Sequence, residues 1–368
     1  MIMLHKKNLK YGFAGLLVLL LAGCGEEASE MLPATTDVTF RLELPASLEV
    51  DTRAANTLGD ITVEDVWVVQ YNASTNGFIK SMKFEGNAGT PGLNGNILTF
   101  STSSADFSQL TSRFYVIVNA GTNFLDGFSG NEVALKAKTV AVSSGSITGE
   151  LKLLTSGPIT YTPVAGGKVM VVAPLSRAYA KVSVTWNDAD TKGAFTISKM
   201  TVKNYPKYMA LYTRGGGALG TSYPVTGDIN AAASATIGNM NSGTPYTFYI
   251  PENLRGMGTA TSFADKGLDM YGPGSTAGNK LGGCTYILLE GTYKYGDGAT
   301  SEAIDVAYRI YLGGNLRTDY NIQRNYYYKV TLNLSGANSS DVRVQITDGK
   351  VVVFDEVEKV EHTVDFKD

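Results

Sequence analysis

Between Asp37 and Leu44 apolar and polar residues alternate strictly, with Val38, Phe40, Leu42 and Leu44 on one side and Thr39, Arg41 and Glu43 on the other. A period of two marks a strand with one buried face. Pro45 ends the pattern, and residues 46–60 read as an exposed connection. Val63 to Tyr71 and Phe78 to Phe84 are two more strand-like runs. The turn formers of Asn72 to Gly77 lie between them, so the pair predicts a hairpin. Ile97 to Phe100 predicts a strand, and Ser104 to Leu110 one or two helical turns capped by Ser or Asp. Phe114 to Ala120 is almost uninterruptedly apolar, as expected of a strand covered on both faces.

Thr139 to Leu154 holds shorter β-like patches. Thr155 to Gly167 is dense in Thr, Pro and Gly, which places a domain boundary there. Beyond it, Val169 to Val172 and Leu175 to Val184 read as strands, and Ala194 to Tyr205 as a strand pair. Tyr246 to Ile250, Tyr286 to Tyr295, Ala303 to Leu312 and Tyr326 to Leu334 add four more strand-like runs. In the tail, Val342, Val344 and Ile346 alternate with Arg343, Gln345 and Thr347. Val351 to Phe354 follow after a turn at Asp348-Gly349. Many short strands separated by turn signals predict an all-β chain of sandwich type. The 368 residues suffice for two such domains, expected at 24–165 and 166–368.

The first 23 residues follow another pattern. Lys6, Lys7 and Lys10 precede a charge-free run from Phe13 to Ala22. This is the layout of a secretory signal, and the run is too short to span a bilayer. Leu21-Ala22-Gly23-Cys24 at its end resembles the lipobox of bacterial lipoproteins, in which the cysteine carries the lipid and becomes the first mature residue. Two or more acyl chains on Cys24 hold a protein on a membrane stably. Glu26 and Glu27 behind it look like the surface-export signal of Bacteroidetes lipoproteins.

Composition narrows the function. Net charge is −3, so no basic face invites nucleic acid. Charged residues make up 18%, while Gly at 41 and Tyr at 21 favour strands and tight turns. The two cysteines are Cys24 and Cys284, so once Cys24 carries lipid no disulfide within the chain is possible. Cys284 reads as a small buried strand residue rather than a nucleophile. His5 lies in the leader and His362 close to the end, leaving almost no histidine for a catalytic pair or a zinc site. The glycines of Arg214 to Gly217 and Tyr271 to Gly283 lack the lysine and helix of a phosphate loop. Asp188 with Asp190, or Glu252 with Asp297, has no spacing that fixes a glycosidase carboxylate pair. Asn187 to Asp190 also lacks the glycine and distal glutamate of a calcium loop. Neither catalysis nor a metal or cofactor is expected.

Several runs together resemble the Bacteroidales fimbrillin superfamily, the FimA/Mfa-like pilins. Phe114 to Ala120 and Leu175 to Val184 are similar to its amino-terminal half and domain junction. Tyr249-Ile250-Pro251-Glu252-Asn253-Leu254-Arg255-Gly256, Tyr308 to Gly313 and Asn321 to Tyr328 are similar to its carboxy-terminal half. The resemblance implies two tandem transthyretin-like, Greek-key β-sandwiches after a lipoprotein signal peptide, exported to the outer membrane and assembled into fimbriae. It implies further that an Arg-specific protease cuts a loop after the first strand, releasing lipid and strand together, and that the next subunit supplies a replacement strand. Arg53, in the 46–60 connection, is then the candidate cleavage residue and Ala54 the new amino terminus. An ordinary solvated loop arginine is the other reading of Arg53.

The residues support the idea independently. Withdrawing Val38 to Leu44 from a sandwich would leave an apolar trough lined by unpaired main chain, open to a foreign alternating strand. The tail from about Val342, with Val344 and Ile346, is the candidate donor, or else it completes its own domain. Expected partners are other fimbrial subunits, the outer membrane through Cys24, and a host or bacterial surface receptor. An alternative from another class is a permanently anchored glycan-binding lipoprotein with Trp67, Trp186, Tyr205 and Tyr208 as sugar platforms. Aromatics within strands, however, more often serve core packing.

Overall fold

The computed structural model describes residues 37–43, 63–85, 92–94, 97–103, 107–108, 110–142, 146–148, 151–164, 167–188, 193–213, 233–238, 240–262, 266, 284–296, 303–334, 344–347, 352–353 and 361–366. Cys24, Leu44, Arg53, Ala54 and Val342 lie outside the described residues.

The described chain is an all-β sandwich fold of four main sheets. The first sheet has the order β4 (Gly92–Asn94), β5 (Ile97–Ser103), β1 (Asp37–Glu43), β9 (Lys168–Pro174). The second runs β10 (Ser176–Arg177), β8 (Leu154–Tyr161), β6 (Ser112–Val118), β2 (Asp65–Asn72), β3 (Phe78–Glu85). Strands β2 and β3 form the expected hairpin, antiparallel with Val68 opposite Met82. Val38, Phe40 and Leu42 from the first sheet meet Val66, Val68, Phe114 and Val116 from the second in one core. Their period of two puts all three on the face that leaves water.

The third sheet comprises β15 (Tyr246–Pro251), β11 (Tyr179–Asp188), β18 (Tyr326–Leu334), β21 (Glu361–Phe366) and β19 (Val344–Thr347), with β20 (Val352–Val353) also on β18. The fourth has β14 (Ala233–Ile237), β12 (Gly193–Tyr205), β16 (Tyr286–Tyr295) and β17 (Ala303–Tyr311). Residues 194–205, read as a strand pair, are one long strand with a register shift between Ile197 and Lys199. A two-stranded ribbon, β7 (Thr139–Ala141) with β13 (Tyr208–Ala210), joins the two halves.

Strand β6 is covered on both faces, which explains its uninterrupted apolar run. Phe114 and Val116 face the first core, whereas Tyr115 and Ile117 join Trp67, Val69 and Tyr71 in the larger core shared with the third and fourth sheets. A short helix that the sequence pattern did not predict, α1 (Glu132–Lys136), presses Leu135 into that larger core. Asn131 caps it, its side-chain oxygen accepting from the Ala134 N–H at 2.9 Å.

The stretch where Thr, Pro and Gly are concentrated contains a strand. Residues 154–161 are strand β8, in the interior of the second sheet, and β9 beyond them pairs in parallel with β1. Leu154, Thr155, Ser156 and Tyr161 are buried, and Pro158 falls where the β6 and β8 registers shift. A Thr-rich stretch with β-branched and aromatic residues at buried positions behaves as a strand even with a proline, because a bulge removes the need for its missing N–H. Strands β9 and β10 pair within the first two sheets, and β11, after Ala178, belongs to the third.

Candidate functional site

Strand β1 has neighbours along both edges. It is antiparallel to β5, with Phe40 opposite Phe100, and parallel to β9, with Phe40 opposite Val171. Val38, Phe40 and Leu42 are completely buried. The Phe40 ring lies 5.6 Å from Phe107 and 5.4 Å from Phe114, the latter edge to face. Outward, Arg41 and Glu43 form an exposed ion pair at 3.5 Å. Because β5 and β9 pair with β1 and not with each other, taking β1 away leaves a groove with hydrogen-bonding groups on both walls and an apolar floor. Its walls run in opposite directions, so an incoming strand meets one parallel and one antiparallel neighbour whichever way it enters.

At the other end of the chain, Val344 and Ile346 lie on β19, which pairs with β21, while β21 and β20 pair with β18. The tail therefore completes its own sheet in this structure. Strand β21, centred on Val364, was not among the expected strands. Its mixed run Glu361-His362-Thr363-Val364-Asp365-Phe366 gives a weak apolar signal.

The two halves are tied by a buried polar cluster. The Arg324 guanidinium meets the Glu252 carboxylate at 3.2 Å and donates to the carbonyls of Ala210 and Leu211, both at 2.8 Å. Thr213 Oγ1 also donates to Glu252 at 3.2 Å. Tyr212 Oη donates to the Ser156 carbonyl at 3.0 Å and its ring meets Tyr115 edge to face at 5.3 Å. Burial holds the Tyr212 hydroxyl well above its ordinary pKa, so it serves as a neutral donor. Glu252 and Arg324 belong to the runs that carried the family resemblance. Their role as a clamp on β13 required tertiary proximity to see.

The candidate chemical groups take structural places. Cys284 is buried beside Tyr311 and Tyr320, and burial pushes its thiol up to about 12. Lys266 is fully buried; its Nζ donates to the carbonyls of Asn315 at 2.6 Å, Asp319 at 2.7 Å and Leu312 at 3.5 Å, and lies 4.9 Å from the Tyr320 ring centre. Asp188 accepts from the Phe195 N–H, and Glu252 is occupied by Arg324. Asp190 and Asp297 lie outside the described residues. No group of three or more metal-ligating side chains occurs among the described residues. Trp67, Trp186 and Tyr205 are core residues, leaving Tyr208 as the one exposed member of the suggested sugar platform.

Comparison with known proteins places this architecture. The domain of unknown function DUF4906 matches residues 248–332. No curated protein matches. A "putative cell adhesion protein" from Parabacteroides distasonis is similar over 83% of this chain and 90% of its own, with 9% identity and a TM-score of 0.53. A second "putative cell adhesion protein", from Bacteroides eggerthii, is similar over 90% and 95%, with 13% identity and a TM-score of 0.50. The tip fimbrial protein Mfa3 from Porphyromonas gingivalis, truncated at its carboxy terminus, is similar over 90% and 100%, with 11% identity and a TM-score of 0.44. At such identities the likeness to the first two is one of fold.

Proposed function

We propose that this chain is a structural or accessory subunit of cell-surface fimbriae that contributes to adhesion. It travels as a lipoprotein carried by Cys24 to the outer membrane and assembles by protease-triggered strand exchange. The observation that carries this reading is the placement of β1, an interior strand whose apolar face is fully buried and which lies at the amino-terminal end of the described chain. Cutting at Arg53 would free lipid and β1 together and leave Ala54 at the new amino terminus. The opened groove then takes an alternating strand from the next subunit by β-augmentation. Val342, Val344 and Ile346 are the candidate donors. The placement of β19, outermost in its sheet with β21 as its single paired strand among the described residues, supports that choice. The fold shared with two proteins described as adhesion proteins supports a role at the cell surface, toward other subunits and a host or bacterial receptor.

The amino terminus of the protein recovered from surface fibres tests the reading. We expect Ala54; fibres containing only lipidated Cys24 would overturn the cleavage step. Truncation before Val342 should abolish high-mass polymer while export continues, and normal polymer ladders from the truncated chain would reject the tail as donor.

A further inference from the structure

A second edge of the same sheet points outward, on the far side of β9 from the groove, in the uncut chain that retains β1. Strand β9 is the last strand of its sheet, and among the described residues no strand pairs with its outer side. The Leu175 N–H donates to the Glu43 carbonyl at 2.8 Å. Main-chain groups alternate in direction along a strand, so Val169, Val171 and Ala173 address β1, while Lys168, Met170 and Val172 address the outside. The side chains divide in the same phase. Val171 and Ala173 are buried, whereas Met170 is 59% and Val172 39% exposed, and Val164 just before the strand is 54% exposed. Three of the nine large exposed apolar side chains among the described residues therefore lie on this strand and its approach.

Charges in mid-strand are one of the ways in which natural sheet edges are protected. The edge strands β3 and β17 are protected in this way, with Lys80 and Lys83, and with Asp305 and Arg309. Strand β9 has no charge between Lys168 and Pro174; edge strand β15 has none either, but its side chains are buried or half-buried where Met170 and Val172 are exposed.

We propose that β9 pairs antiparallel with β9 of a second copy of this chain about a two-fold axis through Val171. That register is the one in which outward-facing groups meet. Met170 of each copy lies opposite Val172 of the other as a hydrogen-bonded pair, and the two Val171 residues form the close, non-hydrogen-bonded pair. Lys168 falls opposite Pro174 of the second copy, whose neighbour across the sheet on the same face is Glu43. Each lysine is thus brought into the same row as a carboxylate of the other copy, twice by symmetry. The two four-stranded sheets become one of eight strands, and Met170 and Val172 of both copies close over the join.

The test uses the secreted chain carrying Cys24→Ser, which removes the lipid and its thiol. Light scattering should find a dimer whose melting temperature rises with concentration, and Met170→Lys with Val172→Lys should give a folded monomer whose melting temperature does not depend on concentration. Met170→Pro, which deletes one outward N–H that β1 does not use, should also give monomer and separates strand pairing from general stickiness. Val171→Cys should form a disulfide-linked dimer under oxidation, because close antiparallel pairs bring Cα atoms within about 4.5 Å, inside disulfide reach. Ala173→Cys should not. A monomeric parent at every attainable concentration, a dimer indifferent to the lysine pair, or equal cross-linking at 171 and 173 would each overturn the proposal. So would finding the edge occupied by a strand of a different protein in material purified from cells.

Discussion

Arg324 and Glu252 form an ion pair at 3.2 Å with only 11% and 5% of their side chains exposed, and the same guanidinium holds two carbonyls at the end of the β13 segment. Removing one partner of such a pair strands a charge in a poorly solvated place. We expect Arg324→Met to lower stability by about 3–5 kcal/mol. Glu252→Gln together with Arg324→Met should cost less than the two single changes summed, because neither charge is then left alone. Chemical denaturation of the four proteins measures the difference.

Phe40 supplies the largest side chain that β1 contributes to its core, against Phe107 and Phe114. Phe40→Ala should cost about 3–5 kcal/mol. Arg41→Ala, which breaks only the exposed pair with Glu43, should stay within about 1 kcal/mol. Urea unfolding of both variants checks whether the buried face, rather than the outward one, holds the strand in place.

Lys266 makes stability depend on pH. Burial pulls its pKa down from 10.5 to about 7, against the opposing pull of Asp319 and Cys284. Between those values the unfolded chain keeps a proton that the folded chain has released, so raising pH favours folding across that window. Below pH 7 both forms are protonated and the dependence vanishes. Subtracting the stability of Lys266→Met from that of the parent should give a difference that rises from pH 7 towards pH 10. A flat difference curve would contradict the burial argument.

Cys284 should be chemically silent in the folded chain. Its thiol is buried and raised to about 12, so little thiolate forms at pH 8. A maleimide should leave it unmodified until denaturant is added; rapid labelling of the native protein would show that the site opens.

The sequence pattern located most strands because each carries its own periodicity. Val38, Phe40 and Leu42 announce a buried face, and Phe114 to Val118 announces burial on both sides. What local pattern hides is which strand neighbours which. Lys168 to Pro174 reads equally well as the beginning of the second half, yet its partner is β1, more than a hundred residues earlier in the chain. Leu154 to Tyr161 was masked by a composition typical of linkers, and α1, five residues long, is too short to show a helical period. The clamp between Arg324 and Glu252 spans 72 residues and brings in a third segment at Ala210 and Leu211, a convergence that no spacing rule encodes.

The directions of β1 and β21 also govern how the protein bears load. Strand β1 runs parallel to β9, and β21 parallel to β18. A pull along the axis of β1 strains all its rungs to β5 and β9 at once, in shear, instead of peeling them one after another. The same holds for β21 against β18. A subunit gripped at these strands resists traction as a lap joint does, by sharing the force over its whole overlap.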